Sequence, residues 1–290
     1  MEMLFLGTGA GDFQALDDAT NESPHVVAAR QAGGRNLRYA AACLVAPDIL
    51  IDCHDTRQLK GFCGATDGIR HLLITHGHFD HFQPLAVLEL AAGMSQPLQV
   101  YGTAVIGSAL AFAAEHVWDA EKGRFDARTA SPNLRFHSVD HGDCFAVGQT
   151  RVTSVRASHM LDKGRLLIEQ PALNYVIERD GVTVYYGLDS SYLLPETMKL
   201  LAGFHLDAAV LDATFGDRAI DPAQSGHMNF AMVAQTVAEL RAAGAINDDS
   251  AIIASHISLA SVPPHDAIEA DLASRGIMLA YDGMVWKAGP

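Results

Sequence analysis

The stretch ITHGHFDHF, Ile74 to Phe82, places His76, His78, Asp80 and His81 within six consecutive positions. It follows a β-type run, RHLLIT, and precedes QPLAVLELAAGM, which opens with Pro84 and ends near Gly93 as a helix does. The histidines therefore belong to a strand-to-helix loop. A spacing of two would point His76 and His78 about 200° apart on a helix, whereas extended backbone turns both to one side. That pair can grip one cation, leaving Asp80 and His81 to turn toward another. A solvated polar turn is the plain reading of one histidine, but three imidazoles and a carboxylate crowded together fit a metal site better.

Later runs add residues of the same kind. VTSVRASH ends at His159, VTVYYGLD at Asp189 and AIIASH at His256. Three apparent strands each deliver a ligand-type residue at the C-terminal end, where loops of layered α/β folds gather their chemistry.

The remaining pattern is that of a layered chain. MLFLG, ACLVA, DILID and RHLLIT read as strands, and TAVIGSALAFAAEHVW as a helix with Thr103 as candidate cap. TRVTSVRA, LNYVIE and VTVYYG resume the strands, the last two joined by Asp180-Gly181, a hairpin-favouring dipeptide. After DAAVLDATF come a helix from about Asn229 to Gly244, the strand AIIASH, a helix following Pro263-Pro264 and a closing IMLAYDGMVW pair. Strands in two runs, each followed by helices, predict an α/β fold of two mixed sheets packed face to face with helices outside. No linker or repeat divides the 290 residues, so one domain over 1–290 is expected.

Twenty basic against thirty-four acidic side chains leave a formal charge of 20 − 34 = −14, which disfavours nucleic acid as the main partner. A small anionic substrate stays compatible, because two bound dications make a site locally positive. Cys43, Cys53, Cys63 and Cys144 form no CxxC pair, and MEMLFLGTGAGDF lacks the basic start of a signal peptide, so a reduced, cytoplasmic protein is expected. Apolar stretches such as AVIGSALAFAA are too short to span a membrane. Apolar helices offer surfaces for a homodimer, though nothing separates these from core faces.

The ordered set HxHxDH, His159, Asp189 and His256 resembles the metallo-β-lactamase superfamily of hydrolases. FLGTGAG, the strand ending in Asp52 and the closing AYDGM extend the resemblance over nearly the whole chain. It implies the αββα sandwich of that superfamily and a binuclear centre. His76, His78 and His159 would hold one metal, and Asp80, His81 and His256 the other, with Asp189 bridging. Nitrogen and oxygen ligands without thiolate suit zinc, manganese or iron. The implied reaction is hydrolysis by a metal-bridged hydroxide, with Asp80 serving in catalysis as well as ligation.

SGHMNF, YGLDSSY, LDATF, ASHISL and AYDGM further resemble the phosphodiesterase branch, nearest the phosphoribosyl cyclic phosphodiesterase, with ribonuclease Z more distant. The branch carries an additional histidine where His227 stands, implying a general acid for the departing alkoxide or a contact to a phosphoryl oxygen. Two departures matter. The cysteine cluster that holds a structural zinc in close relatives is missing from QALDDATNESPHVVAAR, and His54 replaces the usual glycine. No long basic arm for transfer RNA is visible.

A phosphodiesterase acting on a small, cyclic ribose or nucleotide phosphate is thus the leading expectation. Carboxyl-ester, lactone or thioester hydrolysis and a non-catalytic, metal-containing binding protein are the alternatives. Asp52 is expected to bond the histidine loop from behind, while Asp212 has a similar place and an undecided role. Lys163, Arg165, Asn36 and Arg38 are candidate phosphate contacts, weighed against plain solvation. GTGAG has GxGxG spacing with no helix directly after it, which reads as a turn beside the site instead of a dinucleotide loop.

Overall fold

The computed structural model describes residues 1–63, 66, 68–128, 132–159, 161–162, 165–166 and 171–288. In the first strand, β1 (Glu2–Gly7), Met3 and Phe5 face one way and Leu4 and Leu6 the other, as a period of two requires. Both sets are apolar, so the strand must be covered on both faces.

Strands β2 (Ala42–Val45), β3 (Ile49–Ile51), β4 (His71–Leu73) and β5 (Leu98–Gly102) follow, then a separate hairpin of β6 (His116–Asp119) and β7 (Arg124–Ala127), and β8 (Leu134–Ser138). The second half holds β9 (Cys144–Val147), β10 (Thr150–Arg156), the short pair β11 (Leu161–Asp162) and β12 (Arg165–Leu166), β13 (Leu173–Arg179), β14 (Val182–Gly187), β15 (Ala208–Asp212), β16 (Ala251–Ser255), β17 (Ile277–Leu279) and β18 (Val285–Lys287). One seven-stranded sheet has the order β18-β1-β2-β3-β4-β5-β8, the other β17-β16-β15-β14-β13-β10-β9. Both are mixed: β3, β4, β5 and β8 run parallel, as do β14, β15, β16 and β17, and the other neighbours are antiparallel.

Phe5, Ile51, Leu73, Tyr175, Val184, Tyr186 and Ile253 meet between the sheets. Each such side chain contributes roughly 1.5–3 kcal/mol when fully buried. On the outer face of the first sheet, Leu6 and Leu72 pack against helices α2 (Thr56–Cys63), α3 (Pro84–Ala92) and α4 (Ala104–Glu115) through Leu59, Val87, Leu90 and Ile106. Val176, Tyr185 and Leu211 pack outside the second sheet against α5 (Pro195–Leu201), α7 (Phe230–Ala242) and α8 (His265–Ser274). The expected four-layer αββα sandwich is the fold. Helix α1 (Pro24–Ala32) and the single turn α6 (Pro222–Ser225) lie outside this scheme of layers.

Several local expectations change. The closing pair divides between the sheets: β17 continues the second sheet beside β16, and β18 crosses to pair with β1 in the first. Alternation reveals a strand but not its neighbour. The α4 helix stops at Glu115, because His116–Asp119 pairs with Arg124–Ala127, and Thr103 stands at its N-cap without a capping side-chain bond. Asn229 does cap α7, its side chain accepting from Met232 N at 2.9 Å. At Asp180-Gly181 both residues have positive φ, 54° and 75°, the tight hairpin turn that dipeptide favours. Among the described residues no helix is long and apolar enough to cross a membrane.

The parallel strands of the two sheets end at one rim. Beyond β1, Gly9 bridges to Ala40 on one side and to Ile257 on the other, joining the sheets next to His256. Gly7 permits this closeness, since a Cβ there would lie 1.8 Å from Ala40 O.

Candidate metal centre

The histidine loop is tied to its own sheet. Cys53 N donates to His81 O at 2.8 Å, Gln83 N to Cys53 O at 3.1 Å, and both His81 N and Phe82 N donate to His78 O. Asp52, Asp189 and His256 sit just past β3, β14 and β16 with φ of 62°, 51° and 59°. Left-handed backbone at a non-glycine residue costs about 1–3 kcal/mol, so the surrounding bonds must over-determine it. Here it turns three strand ends sharply at the rim where the loop lies.

Donor atoms of His76, His78, His159 and Asp189 all lie within 4.8 Å of one another, and those of Asp80, His81 and His256 form a second such group. Asp189 faces both. Its Oδ1 is 3.9 Å from His76 Nε2 and 3.5 Å from His159 Nε2, while Oδ2 is 2.9 Å from His81 Nε2 and 3.2 Å from His256 Nε2. Asp80 Oδ2 lies 3.5 Å from His81 Nε2 and 3.4 Å from His256 Nε2. The structure thus gathers all seven ligand-type residues singled out in the sequence. His78 is exposed and the other six are buried.

The far side of four rings assigns their tautomers. His81 Nδ1 donates to Asp52 Oδ2 at 2.7 Å, His256 Nδ1 to Thr214 Oγ1 at 2.8 Å, His159 Nδ1 to Gly226 O at 2.9 Å and His76 Nδ1 to Thr75 Oγ1 at 3.1 Å. Each Nε2 then presents a lone pair inward, as ligation requires. The buried His76 Nε2 and Asp189 Oδ2 have no hydrogen-bond partner among the described residues. Unpaired atoms converging in this way fit a bound cation.

Burial holds His76 well below the ordinary histidine pKa, lowers His78, and pushes His159 down to about 4. Neutral imidazole is the form that binds metal. His81 differs. Burial disfavours its charge, but Asp189, Asp80 and Asp52 outweigh burial and raise its pKa well above the usual value.

Asp52 is where the sequence suggested, receiving Thr75 N, Thr75 Oγ1 and His81 Nδ1. Asp212 now has a role. Its buried carboxylate accepts Asp189 N, Thr214 N, Met228 N and, at 2.8 Å, His227 Nδ1, tying three loops together. With Nδ1 engaged, His227 stacks on His256 at 5.3 Å between centroids and packs edge-on to His159 at 4.8 Å. Burial opposes its charge, yet Asp212 prevails and its pKa is pushed up to about 9. A grouping of Asp189, Asp212, His227 and His256 is also compact enough for an ion, but Asp212 and His227 are already bonded to each other.

Sequence reading missed Thr75 and Thr214, whose hydroxyls each accept from a ligand-type histidine; the adjacency of Thr75 to His76 was the available signal. Two candidate phosphate contacts are displaced. Arg38 is buried, donating to Thr8 Oγ1 and Ala280 O, and Asn36 bonds Gly33 O and Asp266. Their side chains face inward because the segment packs under β1 and α8. Lys163 lies outside the described residues, as does the side chain of Arg165. His54 Nδ1 lies 2.5 Å from Phe79 O, against the histidine loop.

A four-layer αββα sandwich with clustered histidines and aspartates at one rim defines the class. The chain belongs to the beta-lactamase superfamily: the model of the beta-lactamase superfamily domain matches residues 48–247. A UPF0173 metal-dependent hydrolase of Ruegeria sp. (strain TM1040) is 30% identical over 154 residues, 49% of this chain and 57% of that protein, so the match spans little more than half of that relative. Among solved structures, Zn2+-bound PqqB from Methylobacterium extorquens superposes with a TM-score of 0.72 at 18% identity, covering 99% of this chain and 100% of that one. A diphosphatase from the PhnP family gives 0.69 at 18% identity, with 99% and 98% covered. At that identity the two structures speak for the fold alone.

Proposed function

We propose that this protein is a metal-dependent hydrolase, and more narrowly a phosphodiesterase acting on a small anionic ester such as a cyclic ribose or nucleotide phosphate. The observation that carries the reading is the division of the Asp189 carboxylate, one oxygen toward His76 and His159 and the other toward His81 and His256. On this reading His76, His78 and His159 hold one divalent cation, Asp80, His81 and His256 hold another, and Asp189 joins them. Zinc or manganese suits the donor set, and iron is compatible with it. Divalent cations there supply Lewis acidity, acidifying water and neutralising charge on the substrate.

The protein groups do the positioning and proton transfer. Asp52, Thr75, Thr214 and Gly226 O hold the imidazoles by their outer nitrogens, so no ring must reorient when substrate arrives. Asp212 orients His227 and favours its protonated form, which leaves the Nε2 proton for a leaving alkoxide. A histidine so held suits a phosphodiester whose alkoxide needs a proton to depart.

Turnover of bis-(p-nitrophenyl) phosphate is the test, with metal content measured on the same sample and a chelated control. About two metals per chain with chelator-sensitive turnover is the expected result. A lactone and a thioester run in parallel; acyl hydrolysis alone would replace this reading, and metal with no turnover would favour a binding protein.

A further inference from the structure

Beside the loop that carries His78 and Asp80 lies a cavity of about 500 Å³ that none of the proposed metal ligands lines. Four rings line it: Phe13, Tyr39, His54 and Phe62. Tyr39 and Phe62 are 43% and 41% exposed, and Phe79 on the adjoining loop is 43% exposed. Two large aromatic surfaces left open in the hollow, with a third on the loop beside it, mark a place where a ligand buries them.

Two acceptors in the lining are left free by their neighbours. Gln58 donates its Nε2 to Leu6 O at 2.7 Å and Ala40 O at 3.0 Å, which leaves Oε1. His54 places Nδ1 on Phe79 O, so its proton is there and Nε2 accepts. The one cation in the lining, Arg57, is held by both its Nε and Nη2 on Asp55 Oδ2. Asp17 adds a further carboxylate. A flat ring bearing N–H donors satisfies these acceptors and stacks on the aromatic walls.

The cavity shares a wall with the metal centre. Phe13 and His54 pack on Phe79 at centroid distances of 6.0 and 6.3 Å, and Phe79 directly precedes Asp80. A Cβ on Gly11 would lie 3.5 Å from Asp80 Oδ2 and 3.7 Å from the Phe79 ring. We infer that the cavity binds a planar, amino-bearing heteroaromatic ring, the base-like part of the ester whose phosphorus is cleaved at the metals. Its assignment as part of the substrate rests on the phosphodiesterase reading above.

Adenosine is the probe, because it has the ring and the amino group but no phosphate to cleave. Calorimetric titration into the metal-loaded protein is expected to show saturable binding, at least about tenfold tighter than inosine, whose carbonyl replaces the amino donor. Gly61 lines the cavity, and a Cβ there meets no atom within 4 Å. Gly61→Leu therefore fills the hollow while favouring the helix, and is expected to melt no lower than wild type and to weaken adenosine at least about tenfold. No saturable adenosine binding, equal binding of inosine, or full binding to a folded Gly61→Leu protein would each overturn the inference; the inosine comparison needs no variant. Diester turnover without adenosine binding removes the cavity assignment alone. Adenosine binding lost in Gly61→Leu, with no diester turnover, keeps the ring site and removes the reaction.

Discussion

His81 Nε2 and His256 Nε2 face each other at 3.1 Å, with Asp189 Oδ2 2.9 Å from the first and 3.2 Å from the second. Their outer nitrogens donate to Asp52 and Thr214, so three lone-pair atoms would converge here if neither ring gained a proton. Without a cation, the proton that the neighbouring carboxylates hold on His81 relieves the repulsion. A dication must displace it. Metal uptake at about pH 7 is therefore expected to release protons and to weaken as pH falls. Calorimetry in buffers of different ionisation enthalpy measures the release; a proton-neutral, pH-independent affinity would contradict it.

Asp189→Asn keeps the shape of the bridging side chain and removes its charge. One oxygen cannot serve both groups of histidines equally, and the amide nitrogen is no ligand. Metal content is expected to fall from about two per chain to about one or fewer, with turnover down by at least about a hundredfold. Elemental analysis and diester kinetics on the same sample give both readings.

That these seven residues would cluster was legible because each follows a recognisable strand, and strand ends of parallel segments meet at a rim whatever the pairing order. What holds the ligands was not. Thr75 and Thr214 look like ordinary β-formers until the tertiary fold brings an imidazole nitrogen to each hydroxyl, and Arg38 looks like a surface cation until β1 and α8 close over it. The separate destinations of β17 and β18 were hidden for the same reason, since period shows burial but not partner. The left-handed turns at Asp52, Asp189 and His256 had no signal, because none is glycine.

Asp52→Asn tests the support behind the loop. Asparagine tolerates the positive φ but presents one acceptor where Asp52 offers two oxygens to Thr75 and His81. A loss of about 10–100-fold in metal affinity is expected. Unchanged affinity in a folded variant would deny Asp52 any part in holding His81.

Asp282 accepts Thr8 Oγ1 and Tyr39 N, each at 2.7 Å. Burial pushes its pKa up to about 6, against these bonds and Arg38. The folded chain therefore holds a proton that the unfolded chain, with a pKa of about 3.9, has lost. Stability from this group is full below about pH 4 and is lost as pH rises through 6. Asp282→Asn abolishes that dependence. The stability gap is expected to move toward wild type by on the order of 1–3 kcal/mol as pH falls from about 7 to about 4. Urea unfolding across that range measures it, and a constant gap would refute the shift.

His227 offers the sharpest separation between chemistry and support. Its Nδ1 is fixed on Asp212, so a proton given to a leaving group comes from Nε2. A general acid contributes about 10²–10⁴-fold, and contributes most where the leaving group is a poor one. His227→Ala is therefore expected to slow an alkyl phosphodiester by that amount and bis-(p-nitrophenyl) phosphate much less, since nitrophenolate departs without a proton. Metal content should stay at the wild-type level. Wild-type turnover of the alkyl ester should also fall at high pH, where the acid deprotonates, a limb missing from the variant. Equal losses on both esters, or a loss of metal alongside, would make His227 a structural or ligating residue and return the proton transfer to water.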